Sequence, residues 1–178
     1  MVLIPLSGKL AAGRCAIVDD QFADELMQYR WHCASDGYAR RCVHYRTMDN
    51  RRRMHAIWMH REVLRLANIE IHKGYETDHI NGNPLDNRLE NLRVVTVSQN
   101  HANSKSRGGT SRYKGLCWHK RDRKWMAYIK PKGKRMYLGY FTDEIDAAKA
   151  YDAAAREYFG QYACCNFPIE KKSNRFEG

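Results

Sequence analysis

The stretch Tyr75–Asn103, YETDHINGNPLDNRLENLRVVTVSQNHAN, places an aspartate, a histidine and a series of asparagines in one short segment. Those residue types suit phosphodiester hydrolysis. That reaction needs an activated water, a counter-charge for the pentacovalent oxygens and help for the departing 3′-oxygen. A histidine with a pKa near 6.5 is a good general base at neutral pH, and His79 is the candidate. A hard divalent cation supplies the charge and prefers oxygen ligands. Asp78 and the side-chain oxygen of Asn100 provide two, leaving room for water and phosphate oxygens. His79 directly follows Asp78, so in a regular strand the two side chains face opposite ways. If both act at one site, a twist or bulge is expected at 78–79.

The elements that must hold these groups are legible in the same stretch. Its apolar pattern predicts a strand to Ile80, a turn at Asn81-Gly82-Asn83-Pro84, and a second strand around Leu92–Thr96. Ser98 is expected to cap a helix carrying Asn100 and Asn103. Asn81, Asn83, Asp86 and Asn87 read as Asx-turn residues. His101 adjoins Asn100 but is turned about 100° away on a helix. Upstream, Asp19 or Asp20 caps a short helix with Phe22, Leu26 and Tyr29 on one face. Residues 37–45 and 52–58 form a hairpin joined by the polar turn 47–51. Arg40, Arg41, Arg51, Arg52 and Arg53 lie on or beside it, as a charged sheet edge or as contacts to a nucleic-acid backbone. Met59, Val63 and Ala67 mark a second short helix.

Charge then separates the two ends of the chain. The 178 residues carry a net charge of +11. Residues 105–178 hold 17 basic and 8 acidic side chains, and residues 105–135 hold 12 and 1. So lopsided a run repels itself unless a polyanion is near. Trp118, Trp125 and Tyr128 within it favour a folded surface over a basic tail. Six cysteines at 15, 33, 42, 117, 164 and 165 show no C-x-x-C spacing. They read as buried thiols rather than a disulfide framework or a zinc site. No apolar run reaches the roughly 18 residues of a membrane span, and the start Val2–Leu6 is too short for a secretory core, so a cytoplasmic protein is expected.

Asn103–Thr110 is polar and contains a Gly pair, which reads as a linker at 105–110 between a domain at 1–104, its core at about 75–103, and one at 111–168. Residues 169–178 form a polar tail. The second domain predicts three strands, with Trp125, Ala127 and Ile129 on one face and Met126, Tyr128 and Lys130 on the other. An alanine-rich helix follows, capped by Thr142 or Asp143 and ended by Gly160. The fold class is α+β.

The Asp78-His79, Asn81-Gly82-Asn83, Asp86-Asn87-Arg88, Asn91-Leu92-Arg93 and Asn100 elements resemble the HNH nuclease family, closely its phage homing-endonuclease branch. The resemblance implies a ββα-metal fold with His79 as general base and Asp78 and Asn100 binding Mg²⁺ or Mn²⁺. Asn91 corresponds to the family's middle asparagine, expected to tie the loop together and help aim His79. His60-Arg61 stands before the second helix as in the family, for packing or substrate positioning. The third signature position is asparagine rather than histidine, and the paired cysteines that bind zinc in some members are missing.

Tyr113-Lys114-Gly115, Trp125-Met126-Ala127, Leu138-Gly139-Tyr140-Phe141, Ala150-Tyr151-Asp152 and Asn166-Phe167-Pro168 resemble the plant ethylene-response-factor (Apetala-type) DNA-binding domain. That resemblance implies a three-stranded sheet lying in the DNA major groove. The implied contacts are Lys114, His119, Arg121, Arg123, Tyr128, Lys130, Arg135 and Tyr137. Together these imply an endonuclease acting on double-stranded DNA, with no small-molecule cofactor, as a monomer or homodimer, in a bacterial host if phage-encoded. The rival is a regulator that binds DNA without cleaving it.

Overall fold

The computed structural model describes residues 1–104 and 108–167. Residues 105–107 of the expected linker, Pro168 and the tail 169–178 lie outside the described residues. The chain mixes helices and antiparallel sheets in two compact units, Met1–Asn100 and His101 onward.

The first unit opens on a hairpin that hydropathy alone did not mark. β1 (Val2–Pro5) pairs with β2 (Cys15–Val18), and Ile4, Ala16 and Val18 enter the core. Helix α1 (Asp20–Met27) buries Phe22 and Leu26, as their spacing predicts, while Tyr29 falls beyond its end. Asp19 stands at the N-cap, but its carboxylate accepts instead from the Leu89 N–H at 2.7 Å. β3 (His32–Cys33), β4 (Ala39–Arg46) and β5 (Arg52–Trp58) form one antiparallel sheet, with the expected turn at 47–51. Arg41 is packed rather than exposed: it stacks on Tyr29 at 3.9 Å and pairs with Glu62 at 3.6 Å. Arg51, Arg52 and Arg53 are exposed. Helix α2 (Met59–Leu66) buries Met59, Val63 and Leu64 on the core that holds Trp31 and Leu26.

β6 (Tyr75–His79) and β7 (Leu92–Thr96) then pair antiparallel, and α3 (Val97–Asn103) follows. Ser98 does not cap this helix. Thr96 does, in a reciprocal arrangement: its N–H donates to Gln99 Oε1 at 2.8 Å, and the Gln99 N–H donates to Thr96 Oγ1 at 3.3 Å. A T-x-x-Q box satisfies two end donors at once and outcompetes a lone serine two residues later.

In the second unit β8 (Leu116–His119), β9 (Lys124–Ile129) and β10 (Met136–Phe141) make one antiparallel sheet with β9 central. Ala127 and Ile129 face α4 (Glu144–Phe159), whose Ala147, Ala148, Tyr151 and Ala155 are buried against them. Asp143 caps α4, accepting from Ile145 N and Asp146 N at 2.7 and 3.0 Å. Gly115 is required where it stands: a Cβ there meets the Tyr151 ring at 2.0 Å and the Tyr128 carbonyl at 2.8 Å. The polar staple of this unit is Asp152, 1% exposed, which accepts from the N–H groups of Asn166 and Phe167 at 2.7 and 2.8 Å.

Candidate active site and nucleic-acid interface

Thr77, Asp78 and His79 are the buried half of β6. The expected distortion at 78–79 is absent: Asp78 pairs with Arg93 and His79 with Leu92 in unbroken register. The two side chains therefore leave opposite faces of a regular ribbon. Tyr38 serves both faces. Its ring lies 5.5 Å from that of His79. Its hydroxyl pKa is raised, first by burial and then by the charges of Asp36, Asp78 and Glu76.

On the carboxylate face, Asp78 Oδ2 accepts from Arg93 Nε at 2.8 Å and pairs with a terminal guanidinium nitrogen at 2.7 Å. Asn100 Nδ2 donates to Glu76 Oε2 at 2.6 Å. Glu76 lies two residues before Asp78 and so on the same face of β6, which puts Asn100 on the Asp78 side of the ribbon. With its amide nitrogen on Glu76, Asn100 keeps a carbonyl oxygen to offer. Carboxylate and amide oxygens are donors of the type that suits a hard divalent cation, but no three His, Cys, Asp or Glu side chains among the described residues cluster as a metal site.

On the other face, His79 Nε2 lies 3.2 Å from Asn87 Oδ1. Burial lowers the His79 pKa, against the opposing effects of Asn87, Asp78 and Asp86. The His60 ring meets His79 edge-on at 5.4 Å and lies 5.3 Å from Tyr38. Burial, then His79 and Arg61, push the His60 pKa down to about 3. The loop between the strands is held by asparagines. Asn91 Oδ1 accepts from Asn81 N at 3.0 Å, and Asn91 Nδ2 donates to the Asp86 carbonyl at 2.7 Å. The Arg88 guanidinium beside Asp86 holds that carboxyl below the usual range. A cleft of about 170 Å³ is lined by Tyr38, Trp58, His60, Arg61, Glu76 and Asn100 among others, whereas Asp78 and His79 are not part of its lining.

Asp78, Asn100 and His79 thus surround one short ribbon, with Asn91 behind its loop. Sequence reading did not single out Tyr38, Arg93 or the contact of Asn87 with His79. Register could have found Arg93, which stands directly across from Asp78. Tyr38 reaches the site through tertiary packing, and Asn87 through an irregular loop, so no periodicity marks either.

In the second unit the basic and aromatic candidates separate into three places. Arg135 stacks over Tyr128 at 4.3 Å, Lys130 lies 6.0 Å from the same ring, and Tyr137 pairs with Tyr128 across the strands and is 60% exposed. Arg121 and Arg123 occupy the β8–β9 turn, and His119 packs edge-on against Tyr140 at 5.3 Å and faces Asp122. Lys114 differs from the rest. Burial lowers its pKa, and its ammonium donates to the Ala102 carbonyl at 2.5 Å.

The profile of the family described as HNH endonuclease matches residues 58–102, the segment running from the end of β5 through α3. Protein 3.8 of Escherichia phage T7 is 36% identical over 105 residues, covering 58% of this chain and 86% of that protein. The chain belongs to the HNH endonuclease family. Its function is accordingly of the nuclease type, with DNA as the partner. A separate segment is similar to plant proteins. An AP2-like ethylene-responsive transcription factor of Arabidopsis thaliana is 43% identical over 60 residues. An AP2/ERF and B3 domain-containing protein of Oryza sativa is 48% identical over 59. The chain spans only 14% and 16% of those two plant proteins. The nuclease family thus carries, in this member, a second segment of AP2/ERF type. Among the described residues no helix is long and apolar enough to cross a membrane.

Proposed function

We propose that the protein is a metal-dependent endonuclease of homing type that hydrolyses phosphodiester bonds in double-stranded DNA and is held on its substrate by the sheet of its second unit. The observation that supports the reading is that the oxygen donors of Glu76, Asp78 and Asn100 share one side of β6 and that Tyr38 links that side to the ring of a buried, neutral-leaning His79. In this reading β6, β7 and α3 form the ββα-metal core. Asp78 and Asn100 would hold a divalent cation, Mg²⁺ or Mn²⁺, which when bound would supply positive charge to the phosphate oxygens. His79 removes a proton from the attacking water as the new P–O bond forms. The bond to the 3′-oxygen breaks and that oxygen takes up a proton from water, leaving a 5′-phosphate and a 3′-hydroxyl. Arg93 keeps the Asp78 carboxylate turned toward the site, and Asn91 keeps the loop folded behind it.

Tyr128, Lys130, Arg135 and Tyr137, with Arg121, Arg123 and His119 at the adjoining turn, form the proposed DNA-contacting surface. Lys114 is left out because its ammonium already serves the Ala102 carbonyl. Arg46, directly opposite Arg52 in the β4–β5 hairpin, adds a basic edge on the first unit. Like charges in that register repel each other until a phosphate lies near.

The test is single-turnover cleavage by Asp78→Asn and Asn100→Ala alongside a binding assay on the same duplex. Both variants are expected to lose metal-dependent cleavage and to bind DNA as the wild type does. Wild-type cleavage rates in either variant would remove the metal assignment.

A further inference from the structure

We infer that Asn87 fixes His79 in the Nε2–H tautomer, and that the N-terminal hairpin holds Asn87 in place to do so. The inference rests on the reading of His79 as the general base for its catalytic consequence, but not for the tautomer itself.

A neutral imidazole has one N–H and one lone pair, and its neighbours decide which nitrogen carries which. The neighbour of His79 Nε2 is Asn87 Oδ1 at 3.2 Å. An amide presents either an acceptor or two donors, so the orientation of Asn87 decides the issue. Its Nδ2 donates to the Leu85 carbonyl at 3.2 Å and lies 3.6 Å from Met59 Sδ. Reversing the amide would set its oxygen against the Leu85 carbonyl, acceptor facing acceptor. The oxygen therefore faces His79, Nε2 carries the proton, and Nδ1 carries the lone pair. The side chain is 1% exposed, so water does not offer it an alternative.

Leu85 and Asn87 are themselves held by β2. The Ile17 N–H donates to the Leu85 carbonyl at 2.7 Å, and the Asn87 N–H donates to the Ile17 carbonyl at 2.8 Å. Asp19, just beyond β2, adds a third tie through the Leu89 N–H. The first twenty residues thus act as a template for the 81–91 loop, and the loop passes that order to His79. A base in the wrong tautomer offers an N–H to the water where a lone pair is needed. Asn87 is a positioning residue: it reaches the reaction only through His79.

The experiment is long-range ¹H–¹⁵N correlation spectroscopy of the histidine rings in the full chain at pH 8, with His79→Gln used to assign the His79 signals. The wild type is expected to show Nε2 protonated and Nδ1 unprotonated. Asn87→Leu, close in volume, is expected to give a mixture of tautomers. Its kcat should fall about 10- to 100-fold, with little change in KM, while circular dichroism stays native. A wild-type His79 protonated at Nδ1 overturns the proposal, and needs no variant to fold. An Asn87→Leu protein with an unchanged tautomer overturns it as well. A shifted tautomer with unchanged kcat upholds the role of Asn87 in fixing the ring, and shows instead that His79 is not the general base.

Discussion

The Arg93 guanidinium rests on one oxygen of Asp78, through Nε at 2.8 Å and a terminal nitrogen at 2.7 Å. The two residues are direct cross-strand partners, and their side chains are 17% and 7% exposed. Such a pair contributes little net stability, but losing one partner leaves a buried charge poorly compensated. Arg93→Ala is expected to lower the unfolding free energy by about 3 kcal/mol. Adding Asp78→Asn to Arg93→Ala should recover much of that loss. Denaturant unfolding of both singles and the double closes the cycle, and strict additivity would show that the pair is not coupled.

The pH dependence of cleavage follows from the burial of His79. Its pKa is lowered by that burial, so the base stays neutral to a lower pH than an exposed histidine. The single-turnover rate should rise with pH, with its midpoint below 6.5, and then level. A midpoint at or above 6.5, with chemistry rate-limiting, would contradict the placement of His79 in the folded enzyme.

His60 gives a stability prediction of its own. Its pKa in the folded chain is about 3, well below the usual 6.5. The unfolded chain therefore binds a proton between those values and the folded chain does not. The stabilisation is complete above pH 6.5 and is lost progressively as the pH falls toward 3. Moving from pH 7 to pH 5 should cost the wild type about 2 kcal/mol more than it costs His60→Phe. Urea midpoints at the two pH values measure the difference. Equal losses in the two proteins would show that His60 is not desolvated.

These relationships mark how far sequence reading reaches. β7 spans Leu92–Thr96 as its apolar pattern implies, α1 falls where the spacing of Phe22 and Leu26 places it, and the β4–β5 hairpin and α4 fall where turn residues and the Asp143 cap place them. Local chemistry decides those elements. β1 and β2 escaped notice because four-residue strands with only three of their core residues buried carry too little pattern. The helix cap moved from Ser98 to Thr96 because Gln99 reaches back to it, a contact that residue types permit but do not require. Asp78, His79 and Asn100 were legible as chemical types. Their neighbours Tyr38, Asn87 and Arg93 depend on loop path and strand register, which residue types alone leave open.

The second unit depends on Asp152 for its closing segment. Its carboxylate, nearly fully buried, gathers the backbone N–H groups of Asn166 and Phe167 and the Asn166 side-chain amide. Asp152→Ala leaves those donors without their acceptor and is expected to cost about 3 kcal/mol. Thermal unfolding of the variant checks it, and an unchanged midpoint would mean that the segment is held some other way.

DNA affinity should follow the basic sheet. Arg123→Ala with Arg135→Ala is expected to weaken binding and to lower the salt slope by nearly one logarithmic unit for each phosphate that is no longer neutralised. Replacing the exposed helix acids Asp146 and Glu157 should change neither. A salt titration of these variants on one duplex separates the two faces of the unit, and a larger effect from the helix acids would reverse the assignment of the DNA-facing side.

The most direct test of the account is relaxation of supercoiled plasmid by the intact chain and by His79→Ala, with Mg²⁺, with Mn²⁺ and with EDTA. The wild type is expected to convert supercoiled DNA to cut forms with either metal and to leave it intact in EDTA. His79→Ala should be slower by about 100-fold or more while binding the plasmid normally. Cleavage that persists in EDTA, or that proceeds equally fast without His79, would contradict a metal-dependent nuclease with His79 as its base.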